Sequence, residues 1–89
     1  MVDRTSSTVF YTKGIPGIIF FKTSASDGDS FIIPHGEATE CFCSSTDNDD
    51  CIATGVCSGS TVTIGLIDDA GAAETNDSDI VGGVILKTQ

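Results

Sequence analysis

Four cysteines are the residues best equipped for chemistry, and they fall close together as Cys41, Cys43, Cys51 and Cys57. Structural zinc sites usually open with two residues between the first pair of ligands, a spacing that suits tetrahedral geometry. Here a single residue, Phe42, separates Cys41 from Cys43, and on an extended strand both thiols leave the same face. Three fates are open to the set: buried thiols acting as small apolar side chains, one or two disulfides, or a zinc or iron–sulfur ligand set. Among disulfides, Cys43–Cys51 is the best placed. If segments 38–44 and 51–57 form a hairpin with 43 opposite 51, their Cα atoms stand about 4.5–5.5 Å apart, within the range a bridge accepts. In that register Phe42 meets Ile52, Cys41 faces Ala53, and Cys57 lies opposite Glu37.

Other candidates carry less. His35 is the one histidine, and a histidine beside a glycine reads as a hydrogen-bonded strand end. No residue is placed to orient it or to act as its nucleophile, so neither a Ser-His-Asp nor a Cys-His constellation can be assembled. The acidic stretches Asp47-Asn48-Asp49-Asp50 and Asp68 to Asp79 offer hard oxygen ligands. Neither follows the EF-hand order of a glycine at the sixth place and a glutamate at the twelfth. They read first as solvated loops, with weak calcium binding as the alternative. No catalytic residue, metal ligand or cofactor is assigned, and the chain reads as a non-enzyme.

Around these residues the pattern is one of short strands. Residues 7–12 alternate, with Val9 and Tyr11 on one face. Ile18-Ile19-Phe20-Phe21 is apolar on both faces and flanked by Gly and Pro, as a central strand would be; these four residues are the candidate interface with a second copy or with another protein. Phe31-Ile32-Ile33 is cut by Pro34, which lacks a backbone donor and ends the strand or marks an edge. Segments 38–44 and 51–57 follow. Residues 60–67 alternate most clearly, with Val62, Ile64 and Leu66 inward, and 80–87 closes the set around Gly82-Gly83. About seven short strands separated by turn signals predict an all-β domain, a small β-sandwich or jelly-roll-like barrel. The expected core is Ile18, Phe20, Phe31, Ile33, Val62, Ile64 and Leu66, with neighbours from 80–86. Residues 1–6 read as a mobile N-terminal arm and 7–89 as a single domain.

Composition bounds function. A hydrophobic fraction of 39% and a mean hydropathy of +0.17 argue against disorder, and the Ile, Val and Phe content suits a pleated surface. Thirteen acidic residues against four basic ones give a net charge of −9. A nucleic-acid partner needs a basic footprint, and an anionic membrane surface is disfavoured on the same ground; neither is expected. No apolar run reaches the roughly 20 residues of a spanning helix. The first residues lack the charged-then-apolar plan of a signal peptide, so synthesis in a reducing host cytoplasm is expected, with the cysteines beginning as thiols.

Gly28-Asp29-Ser30-Phe31-Ile32-Ile33-Pro34-His35-Gly36 forms a Gly-Asp-Ser turn, a short apolar strand and a His-Gly corner. With 61–71 and the closing Val81-Gly82-Gly83-Val84, this stretch resembles small β-rich structural proteins of tailed-phage virions, a group that includes head-decoration (cement) proteins and tail-fibre or spike modules. The four cysteines and Glu37, where an apolar residue is common, depart from that pattern. The resemblance implies a non-enzymatic virion structural protein on the capsid surface. Such a capsid decoration protein would bind the major capsid protein and associate as a homo-oligomer, a trimer. A tail-fibre or spike module is the alternative within that class. A secreted, cysteine-stapled carbohydrate-binding domain is the alternative outside it.

Overall fold

A computed structural model describes residues 2–34, 36–46 and 51–87. All seven expected strands are present: β1 (Val9–Tyr11), β2 (Ile18–Ala25), β3 (Ser30–Ile32), β4 (Ala38–Ser45), β5 (Ile52–Ser58), β6 (Thr61–Ile67) and β7 (Ser78–Leu86), preceded by a 3-10 turn at Thr5–Ser7. They form a β-sandwich of two antiparallel sheets, one in the order β1-β2-β7-β4 and one in the order β3-β6-β5. Two hairpins, β1–β2 and β5–β6, lie within a sheet. The other connections carry the chain from one sheet to the other, so neither sheet is built from one continuous stretch of sequence.

The core is Ile19, Phe21, Ala25, Phe31, Ile33, Val62, Ile64, Leu66, Ile80 and Val84. The alternation expected in β6 holds, but the face of β2 is the reverse of the expected one. Ile19 and Phe21 point inward, whereas Ile18 and Phe20 point outward and are half-buried. In a strand the side-chain period is two, so one step of parity exchanges the buried and exposed sets. The apolar run itself has no polar member to fix that parity; the marker is the next residue, Lys22, exposed on the same face as Ile18 and Phe20.

Side-chain size grades across the interior. At the β1/β3 side the rings of Phe10, Phe31 and Phe21 meet, with centroids 5.7 Å apart for Phe10–Phe31 and 4.7 Å for Phe21–Phe31. At the β4/β5 side the inward positions are Ala38, Cys41, Cys43 and Ser45 against Cys51, Ala53, Gly55 and Cys57. Stacked sheets ordinarily lie about 10 Å apart. With only small side chains between them, β4 and β5 approach to within 8 Å Cα to Cα, and the sandwich narrows along this side.

The expected β4–β5 hairpin is absent. β4 pairs with β7 and β5 pairs with β6, so the two strands face one another from different sheets. Phe42 and Ile52, expected to touch, point out of opposite sides of the sandwich. β4 also carries a bulge between Ala38 and Glu40.

The segment expected to be a mobile arm is, from Val2 onward, docked along β3. The Ser30 N–H donates to the Val2 carbonyl at 3.0 Å and the Arg4 N–H to the Ser30 carbonyl at 2.6 Å. This covers an edge that would otherwise present unpaired backbone groups. Asp29 anchors it. Its carboxylate, 1% exposed, accepts from the Val2 N–H (3.0 Å), the Ser26 N–H (3.0 Å) and Arg4 Nε (2.8 Å). Gly28 (φ 87°) provides the turn that aims Asp29 inward, a left-handed conformation that suits glycine.

Candidate functional site

Three features outside the hydrophobic core could do work: the outer face of each sheet and the cysteine seam between β4 and β5.

On the four-stranded sheet, Tyr11, Phe20, Gly83 and Phe42 stand side by side across β1, β2, β7 and β4. The Tyr11 and Phe20 rings stack at 5.8 Å with an interplanar angle of 23°, and Lys13 Nζ lies 5.6 Å from the Phe20 centroid, within cation–π range. Phe42 reaches over Gly83: a Cβ at 83 would sit 2.5 Å from its Cζ. Phe42 nevertheless remains 49% exposed. Tyr11, Phe20, Phe42 and Val81 border a shallow hollow of about 280 Å³. A wider one of about 530 Å³ opens towards Lys22 and Asp79.

The outer face of the three-stranded sheet is different. Its outward positions are Ser30 and Ile32 on β3, Thr61, Thr63, Gly65 and Ile67 on β6, and Ile52, Thr54, Val56 and Ser58 on β5. Ile52 stands beside Ile67 and Val56 beside Thr63. Thr54 covers Gly65, where a Cβ would lie 2.6 Å from its Oγ1. Val56 is 67% exposed and Ile52 60%. No outward position carries a charge.

In the seam, Cys41 lies against Gly55, with the Cys57 thiol as a neighbour two residues along the same face of β5. Burial, with the neighbouring Cys57 and Cys43, pushes the Cys41 thiol up to about 11; burial pushes Cys43 up to about 11 as well. Cys51 Sγ lies 3.9 Å from Glu74 Oε2. The Cys43–Cys51 pairing rested on a hairpin that does not form, and the thiol neighbouring Cys41 across the seam is Cys57.

Among the described residues no three histidine, cysteine or acidic side chains gather as a metal-ligand set. The Asp68 carboxylate accepts from the N–H groups of Ala70 (2.9 Å) and Ala72 (3.0 Å), closing its own loop, and Asp77 pairs with Arg4 Nη2 at 2.9 Å. His35 and Asp47-Asn48-Asp49-Asp50 lie outside the described residues.

No family model, curated protein or solved structure matches the chain. The likeness to virion proteins therefore stands on its sequence motifs alone.

Of the four candidate interface residues, Ile18 and Phe20 are on the outer aromatic face, while Ile19 and Phe21 are enclosed in the core. The aromatic row was hidden in sequence because Tyr11, Phe20 and Phe42 are far apart along the chain. The uncharged face had a visible signal: between 52 and 67 every residue is uncharged, inward and outward alike.

Proposed function

We propose that the protein works by surface contact, as a non-catalytic structural module whose contact face is the outer side of the β3-β6-β5 sheet. The absence of charge from that face, in a chain with thirteen acidic residues, carries the reading. Antiparallel sheets commonly turn a polar face to water, and the core of a protein interface is depleted in charged residues. Ile32, Ile52, Val56 and Ile67 can be buried there without desolvating an ion, and the intervening threonines can donate hydrogen bonds to a partner.

Within this class we favour a virion structural subunit, a capsid decoration protein that binds the major capsid protein and self-associates as a trimer. The sequence resemblance supports that choice, and a tail-fibre or spike module ranks next. Sedimentation of the wild type and of Val56→Asp is the test. The expected result is a concentration-dependent oligomer that the substitution dissolves without altering the circular dichroism. A wild type that stays monomeric at millimolar concentration, and is missing from purified particles of the virus that encodes it, would overturn the reading.

A second reading follows from the opposite face. Stacked Tyr11 and Phe20 with Phe42 beyond Gly83 resemble a platform on which sugar rings pack, the carbohydrate-binding alternative. The chain has one tyrosine and no tryptophan, so its tyrosine fluorescence reports on this face. Saturable change on adding an oligosaccharide, abolished in Phe42→Ala, would favour this reading over the first.

A further inference from the structure

β4 and β5 are edge strands of different sheets, stacked along the narrow side of the sandwich. Their ladders run to β7 and β6 respectively. A backbone hydrogen bond from the Ala38 N–H to the Gly59 carbonyl (2.9 Å) ties the start of β4 to the β5–β6 turn, while the inward side chains pack along the rest of this side. Across the gap, the Cys41 sulfur lies against position 55, two residues from Cys57 on the same inward face of β5, and the two thiols are near enough to interact. Gly55 leaves the space that the Cys41 sulfur fills: a Cβ at position 55 would lie only 2.8 Å from it. Both cysteines point inward and are partly buried.

We propose that Cys41 and Cys57 form a disulfide site, which a low-molecular-weight disulfide oxidant converts into a covalent cross-link between the two sheets.

The register selects this pair. Cys41 and Cys43 are neighbours on one face of one strand, about 7 Å apart at Cα and projecting in parallel, a geometry that a bridge does not accept. Because Cys41 lies against Gly55 and neighbours Cys57, moving two residues on to Cys43 moves back along β5, and a Cβ at 55 would be 3.8 Å from the Cys43 sulfur. Cys51 lies a further two strand pairs along.

The chemistry balances as thiol–disulfide exchange. One thiolate of the pair attacks a sulfur of the oxidant RSSR, forming a mixed disulfide and releasing RS⁻, which takes up the proton the cysteine lost. The second thiolate attacks the protein sulfur of that mixed disulfide and expels the other RS⁻. Two protein thiols are oxidised to one disulfide, and RSSR is reduced to two RSH. The raised pKa of Cys41 makes the exchange slow at neutral pH and faster in mild alkali. What binds either outer face has no bearing on it.

The folded wild-type protein, incubated with oxidised glutathione at pH 8.5 and alkylated, is digested without reduction and mapped by mass spectrometry. The Cys41–Cys57 peptide is expected to dominate. In a Cys43→Ser/Cys51→Ser background the link should still form and raise the thermal midpoint by roughly 10 °C over the reduced form, the scale of a bridge closing a loop of this length in so small a domain. Adding Cys57→Ser should abolish that rise. A dominant Cys43–Cys51 peptide, four unreacted thiols after prolonged oxidation, or stoichiometric metal protecting the cysteines would each overturn the proposal.

Discussion

Asp29 accepts a hydrogen bond from Arg4 Nε at 2.8 Å, and the carboxylate is 1% exposed while the arginine side chain is 22% exposed. The contact joins the turn before β3 to the chain's one arginine, 25 residues earlier. Arg4 also reaches Asp77 at 2.9 Å, so a single guanidinium ties the N-terminal segment to the loop before β7. Its guanidinium stays protonated in any case, so acid sensitivity here belongs to Asp29.

Burial disfavours the charged form of Asp29, but the N–H groups of Ser26 and Val2 and the Arg4 guanidinium more than offset this and hold its pKa below the ordinary value. Such a group contributes stability that is complete above the unfolded-chain pKa of about 3.9 and is lost as pH falls through the lower folded value. Asp29→Asn is expected to cost about 2–4 kcal/mol at pH 7, the range for losing charged hydrogen bonds at a buried site. The gap between wild type and variant should narrow below pH 4. Urea titrations at pH 7 and pH 3 check this, and an equal loss at both would mean that the site acts through shape rather than charge.

Gly82 and Gly83 are adjacent in β7 but should respond very differently to alanine. A Cβ at 82 would collide with the Phe42 carbonyl oxygen and lie 2.8 Å from the Cys43 Cα, backbone that cannot move without breaking the β4–β7 ladder. A Cβ at 83 would meet only the Phe42 ring, which can swing towards solvent. Gly82→Ala is expected to lose more than about 3 kcal/mol or fail to fold, and Gly83→Ala to lose about 1 kcal/mol. Thermal midpoints of the two variants give the order directly.

Seven strands and most of the core were legible because Val62, Ile64 and Leu66 alternate with threonine and glycine, and because turn residues punctuate the chain. Strand partners were not legible. β4 and β5 follow one another with a short connection, which looks the same in sequence whether the chain turns back in one sheet or steps across to the other. The small residues at 38, 41, 43, 53, 55 and 57 suit a close inter-sheet approach, yet they also suit a hairpin, whose register sets Cys57 opposite Glu37 rather than beside Cys41. Asp29 read as a turn residue because its ligands, Val2 and Arg4, come from a polar segment with no pattern of its own.

The reversed face of β2 makes a plain stability contrast. Phe21 is fully buried between the sheets, and Phe20 lies on the outer face against Tyr11. Phe21→Ala should cost about 3–5 kcal/mol as a cavity-forming core substitution. Phe20→Ala should cost about 1 kcal/mol, since it removes a half-exposed ring and one stacked pair. Chemical unfolding of both variants decides the parity, and a larger loss from Phe20→Ala would restore the face assignment made from sequence.

The thiols offer a readout that needs no substitution. Cys41 and Cys43, both pushed up to about 11 by burial, are almost wholly protonated at pH 8, where an ordinary thiol is ionised to roughly a quarter. Since the thiolate is the nucleophile, iodoacetamide should label these two roughly a hundredfold more slowly in the folded, reduced protein than in urea. The folded-state rate should climb about tenfold per pH unit until the pH nears 11. The same shifts bear on stability with a definite sign. A thiol whose pKa is raised on folding contributes stability that is complete below the unfolded value of about 8.5, and this is lost as pH rises through the folded value. Unfolding free energy should therefore fall between pH 8.5 and 11 in the reduced protein, and fall less in Cys41→Ser. Peptide-resolved alkylation rates across pH 7 to 11 test the assignment, and labelling of Cys41 and Cys43 at unfolded-state rates would show that the β4/β5 seam stands open in solution.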